Sequence, residues 1–119
     1  MGTLDSTDRD PQWLRGVLPL LVLAILDRGE CYGYDLARQL KDAGLGDVKG
    51  GTLYPILSRL ERDSLVAVRW SEQSSGPARK YYRLTAAGRT QRREGSAAWL
   101  AFVDRATNVL ATADKGGPT

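Results

Sequence analysis

The sequence predicts a mainly α-helical chain with one small β-hairpin, an α+β class, on three observations. Leu53, Ile56, Leu57 and Leu60 recur at the i, i+3, i+4, i+7 spacing of a helix with one buried stripe. Leu65 to Ser71 is β-branched and aromatic and Lys80 to Leu84 alternates, with the turn-rich Gln73-Ser74-Ser75-Gly76-Pro77 between them. After Thr85, the residues Trp99, Phe102, Val103, Ala106, Val109 and Leu110 fall on one amphipathic helical stripe. A length of 119 residues fits one core, and 42% hydrophobic residues are too many for a disordered chain.

Taken in order, Met1 to Pro11 is polar and predicts a disordered tail over residues 1–11. An aliphatic run predicts a buried first helix from about Gly16 to Arg28, with Pro19 near its first turn, where a missing N–H costs little. Gly29-Glu30-Cys31 breaks it. Tyr34 to Ala43 reads as a short second helix with Leu36 and Leu40 on one face and Asp35 near its positive end. Gly44 to Gly51 is a glycine-rich connection. The third helix is expected to start at Thr52 as N-cap, with Pro55 in its first turn. Opposite its apolar stripe it presents Tyr54, Pro55, Ser58, Arg59 and Arg62. The hairpin follows, and Thr85 caps a last helix running to about Ala111, with a flexible tail over residues 113–119. This order of elements predicts a winged helix-turn-helix domain over residues 12–88 and a C-terminal dimerisation helix over 89–112.

Composition narrows the chemistry. The chain has no histidine, the commonest general base and metal ligand, and one cysteine, which excludes an intrachain disulfide and a multi-cysteine zinc site. No catalytic residue, metal or cofactor is expected. An enzyme using carboxylates such as Asp35 and Glu61 is disfavoured, because Asp35 fits a helix-start charge and Glu61 a surface pair. Val17 to Leu26 is interrupted by Pro19 and covers about half the roughly 20 residues a bilayer requires. The acidic N-terminus is unlike a signal peptide, so a soluble, cytoplasmic protein is expected.

The net charge of +3 is a weak hint of an anionic partner, but its distribution is informative. Residues 49–94 hold ten basic and four acidic side chains, whereas residues 1–48 hold five and eight. The basic excess therefore belongs to the third helix and the hairpin.

Tyr32-Gly33-Tyr34-Asp35-Leu36, Gly51-Thr52-Leu53-Tyr54-Pro55, Arg59-Leu60-Glu61, Gly76-Pro77, Arg79-Lys80-Tyr81-Tyr82-Arg83-Leu84-Thr85 and Gly88-Arg89 follow one another in this order. Together they resemble the PadR family of bacterial transcriptional regulators, from about Gly16 into the last helix. The resemblance implies a winged helix-turn-helix repressor that dimerises through its C-terminal helix and is released from DNA by a small molecule or stress signal. With one C-terminal helix the chain is similar to the short subfamily. Cys31 stands where many members have proline, and Pro19 lies in the first helix.

The residues themselves agree with that implication. The amides of Leu53 and Tyr54 and the Thr52 hydroxyl are candidates to hold a phosphate where Gly50 and Gly51 let the backbone approach, with Lys49 and Arg59 flanking. Tyr54, Pro55 and Ser58 are placed to reach base edges, and Tyr34 to donate to a phosphate. Gly76, Arg79 and Lys80 would lie along the minor groove. For Tyr34 and Tyr54 a role as half-buried supports stays open, as does capping alone for Thr52. One of Tyr81 and Tyr82 is expected in the core, and Arg62, Arg69, Arg83, Arg92 and Arg93 are expected to be solvated or ion-paired. The expected partner is a double-stranded operator bound by a homodimer.

The stripe Trp99, Phe102, Val103, Ala106, Val109 and Leu110 exceeds what a small winged domain covers, which predicts a homodimer interface with the first helix contributing. Trp99 aligns with a tryptophan that lines the pore between subunits in a multidrug-sensing member of the resembled family. This implies a planar aromatic or cationic effector there, with a plain interface anchor as the alternative. The rival to DNA regulation is a winged-helix protein–protein interaction module whose basic hairpin meets an acidic partner.

Overall fold

The computed structural model describes residues 12–72 and 76–116, the side chains of the last helix as far as Asp114. The elements run α1 (Gln12–Arg28), β1 (Cys31–Tyr32), α2 (Gly33–Asp42), α3 (Gly50–Arg62), β2 (Val66–Ser71), β3 (Arg79–Leu84) and α4 (Ala86–Gly116). The three strands form one antiparallel sheet in the order β1-β3-β2. The predicted hairpin is therefore present and gains a third strand of two residues, too short to leave a pattern in the sequence.

The core lies where α1, α2, α3 and the inner face of the sheet meet, and its fully buried side chains are Leu18, Val22, Leu36, Leu40, Leu53 and Leu57. α1 buries Leu14, Val17, Leu18, Val22, Leu23, Ile25 and Leu26, nearly all round, because α4, β3 and α2 all pack on it. It begins by Gln12 rather than Gly16, so Pro19 lies inside the helix and not in its first turn. The missing N–H forfeits one backbone bond to the Arg15 carbonyl. Burial of Leu14, Val17 and Leu18 ahead of it and Val22 behind it offsets that loss.

α3 also starts earlier than expected. Lys49 is its N-cap, with no side-chain capping bond, and its carbonyl accepts from the N–H of both Thr52 and Leu53 at 2.9 Å. Thr52 is thus the third helical residue and not the cap, and Pro55 lies in the second turn. The carbonyl that Pro55 leaves without a helical donor belongs to exposed Gly51, which solvent can reach.

The last helix is anchored as predicted at Thr85. Its Oγ1 accepts the Gly88 N–H at 3.0 Å and donates to the Ser64 carbonyl at 2.7 Å, while the Thr85 N–H donates to the Leu65 carbonyl at 3.1 Å. A β-carbon on Gly88 would stand 2.0 Å from the Leu65 oxygen, so only glycine fits. These bonds tie the start of α4 to the turn that ends α3. Farther along, Arg92 donates to Asp27 at 2.7 Å, and Gly95 gives room to Leu20, so α4 lies against α1. The helix continues to Gly116, four residues into the segment expected to be a tail, because Ala-Thr-Ala-Asp-Lys is helix-compatible and the first breakers are Gly116-Gly117-Pro118. The expected tail over residues 1–11, residues 117–119, and Gln73 to Ser75 of the hairpin loop lie outside the described residues.

Candidate nucleic-acid interface

α3 buries Leu53, Leu57 and Leu60 and turns Tyr54, Pro55, Ser58, Arg59 and Arg62 outward, all exposed. The early start of α3 moves its unbonded amides. Leu53 already donates to the Lys49 carbonyl, so the N–H groups left at the tip belong to Gly50 and Gly51. Lys49 stands beside them, exposed and 3.7 Å from Asp47. Thr52 is half-buried on the side of α3 that faces α1, where it lines a groove of about 300 Å³ with Arg15, Pro19 and Arg59.

Tyr54 is 48% exposed and rests on the backbone of Gly33 and Gly50. One part of the ring is thus supported from below while the rest is open to solvent. Tyr34, at the start of α2, is 70% exposed. Its ring stacks at 6.3 Å on Tyr32.

The register pairs Trp70 with Lys80 and Val68 with Tyr82, so these four occupy one face of the wing, continuous with buried Val66 and Leu84. As expected, one of the two adjacent tyrosines, Tyr82, is core, and burial raises its phenol above the ordinary range. Beyond the core this face looks across at α3. A cleft of about 400 Å³ opens there, with Tyr54 and Ser58 on one wall, Trp70 and Lys80 on the other, and Gly33 at its floor; Arg79 and Tyr32, which the register sets on the outer face of the sheet, also border it. Lys80 leans over it, 3.5 Å from Glu61 and 5.5 to 5.8 Å from the Tyr82 and Trp70 rings. Gly76 adopts φ 102°, a left-handed conformation that suits glycine, at the far end of the wing.

The cations divide into two sets. Arg69 makes a bidentate pair with Glu30 at 2.5 and 3.1 Å, which holds the Glu30 carboxyl below its usual range. Arg92 pairs with Asp27, and Arg38 with Asp35. Arg59, Arg62, Arg79, Arg83, Arg89 and Arg93 have no carboxylate within salt-bridge distance among the described residues. Of these, Arg59 lies on α3 and Arg79 on the wing. Two residues here were not singled out for the interface from sequence. Trp70 is 63% exposed in the cleft, and Tyr32 carries Arg79 on its ring at 4.5 Å.

The C-terminal stripe divides along its length. Trp99 is half-buried against the core and pairs with Phe102 at 5.9 Å. Val103 and Ala106 are half-buried. Phe102, Val109 and Leu110 are 59 to 69% exposed, together with Leu100, which the sequence reading did not include. Trp13 on α1 is exposed as well. No helix among the described residues is long and apolar enough to cross a membrane, and none of their His, Cys, Asp and Glu form a group of three that could hold a metal ion.

Comparison with known proteins agrees with this geometry. Residues 22–94 match the transcriptional regulator PadR-like family. A transcriptional regulator of Mycobacterium tuberculosis is 40% identical over 80 residues, spanning 66% of this chain and 71% of that protein. The crystal structure of a PadR family transcriptional regulator from Eggerthella lenta superposes with a TM-score of 0.77 at 39% identity, covering 86% of this chain and 88% of that one. A PadR-like transcriptional regulator from Bacillus cereus superposes with a TM-score of 0.76 at 35% identity, covering 84% and 97%.

Proposed function

Because the chain belongs to the transcriptional regulator PadR-like family, we propose that it is a repressor that binds a pseudo-palindromic operator as a homodimer and leaves it when a small molecule binds. The observation that carries this reading is the cleft between α3 and the wing. Tyr54, Ser58, Arg79 and Lys80 line that cleft, while the free amides of Gly50 and Gly51 and Lys49 lie at the tip of α3 and Arg59 lines the neighbouring groove toward α1. Such a surface suits a duplex whose major groove takes α3 and whose adjacent minor groove takes the wing. Tyr54, Pro55 and Ser58 then reach base edges, Arg59 supplies the guanine contact, and Tyr34, Gly51 and Thr52 lie near phosphates. Gly76, Arg79 and Lys80 follow the minor groove.

The uncovered residues of α4 support dimerisation. Phe102 meets only the Trp99 ring among the ring contacts of the described residues, Val109 and Leu110 are exposed, and a second copy of the helix packed on Val103 and Ala106 would cover all three. Two-fold symmetry then sets half-sites about 10 base pairs apart. Trp99, next to this face, offers an indole to a planar aromatic or cationic effector.

A mobility-shift assay on DNA upstream of the protein's own gene tests the reading, read together with sedimentation of the free protein. The expected result is a dimer in solution and one complex with two chains per site. A monomer, or no complex even at low salt, would contradict it; in the second case the wing would be free to meet an acidic protein instead. For the effector, planar dyes should quench the fluorescence of Trp99 in a Trp13→Phe, Trp70→Phe background. No quenching in that background, where Trp99 is the one tryptophan left, would remove Trp99 from the site.

A further inference from the structure

The outer face of the sheet carries a ladder of rings and guanidinium groups. The strand register sets Arg69, Tyr81 and Tyr32 side by side across β2, β3 and β1. The Arg69 guanidinium lies 4.8 Å from the centre of the Tyr81 ring, and Tyr81 meets Tyr32 edge to face at 5.5 Å and 63°. Arg79, one row farther out on β3, lies 4.5 Å over Tyr32.

The two arginines of this ladder have similar seats and opposite electrostatic fates. Arg69 donates from Nε and one terminal nitrogen to the two Glu30 oxygens, so its charge is paired and it serves to fix the ladder to the turn before β1. Arg79 has no carboxylate partner among the described residues. A guanidinium held on a ring face keeps its N–H donors available for an acceptor in its own plane, and a phosphate offers two such oxygens. An arginine at a strand end without that seat spreads its charge over many rotamers.

We propose that Tyr32 is a positioning residue for DNA binding, its ring face holding the Arg79 guanidinium oriented for a backbone phosphate at the edge of the wing. The proposal rests on the DNA-binding reading above. Tyr32 itself is half-buried, and its contribution passes through Arg79. The seat is π-electronic and apolar, so the phenol hydroxyl is dispensable and the ring is not.

The test is a double-mutant cycle on the full chain, read as affinity for operator duplex. Tyr32→Phe should bind within about twofold of the parent. Tyr32→Leu should weaken binding about three- to fivefold per subunit, the range of an exposed cation–π contact. Arg79→Ala should weaken it more, and Tyr32→Leu should then add nothing to Arg79→Ala. A control cycle of Tyr32→Leu with Lys49→Ala should be additive, since Lys49 lies on the tip of α3. Thermal unfolding of each variant checks the fold, and Tyr32→Met repeats the test should Leu prove unstable. Additive losses with Arg79→Ala, or a loss with Tyr32→Phe equal to that with Leu, would overturn the role of Tyr32. If Arg79→Ala leaves binding unchanged, it is the wing's part in the DNA-binding reading that fails.

Discussion

The phenol oxygen of Tyr54 lies 2.2 Å from the position a β-carbon on Gly33 would take. Gly33 is the first residue of α2 and has no left-handed φ, so its requirement is for space and not for backbone freedom. Gly33 and Tyr54 are 21 residues apart in sequence, and here they form one contact that aims an outward-facing tyrosine.

Gly33→Ala is therefore expected to leave stability nearly unchanged, because alanine suits a helix start and the clashing atoms belong to the far end of a side chain that can swing away. Operator affinity should fall, by about tenfold for the loss of one good base contact per half-site. In a Tyr54→Ala background the same substitution should have no further effect on binding. Titration of the four proteins against one duplex checks this.

Gly88→Ala has the opposite profile. The obstructing atom is the Leu65 carbonyl oxygen, which is backbone and also accepts the Thr85 N–H. The turn after α3 and the start of α4 would have to part, a loss of about 2 kcal/mol. Urea unfolding measures it directly.

Alkaline pH should destabilise the protein through Cys31. Burial raises this thiol to about 11 from an ordinary 9.0. A raised acid is more easily ionised in the unfolded chain, so the stability it contributes is complete below pH 9 and declines as pH rises toward 11. At pH 10.5 the loss is about 1 to 2 kcal/mol. Tyr82, raised likewise by burial, acts in the same direction above its ordinary 10.0. Comparing unfolding free energies at pH 8 and 10.5 for the parent and Cys31→Ala isolates the thiol, since the variant should show a smaller decline.

Glu61 restrains a cation of the cleft. Its 3.5 Å pair with Lys80 is partly exposed and contributes little stability, so Glu61→Gln should melt close to the parent. Freed from the pair, Lys80 should reach phosphate. Binding at low salt should tighten, and the log–log salt slope should steepen by about 1 per subunit.

What the sequence made legible follows from local physics. Leu53, Ile56, Leu57 and Leu60 mark their helix by period, and Thr85 marks the start of α4 because a cap acts within three residues. Gly50 and Gly51 read as a break, yet they are helical, because buried Val48 fixes the approach and a first turn tolerates glycine. Pro19 misled in the same way, its local cost being outweighed by burial on both sides. The Tyr32–Arg79 seat, the Lys80–Glu61 pair and the exposed Trp70 join residues from separate elements, and no spacing in the chain encodes them.

The central claim, that α3 and the wing form a cationic surface for duplex DNA, is tested most directly by the salt dependence of operator binding. With three to four unpaired or releasable cations per subunit, a dimer should lose affinity with a log–log slope of about −5 to −7. A slope shallower than about −2, or no binding at low salt, would contradict it.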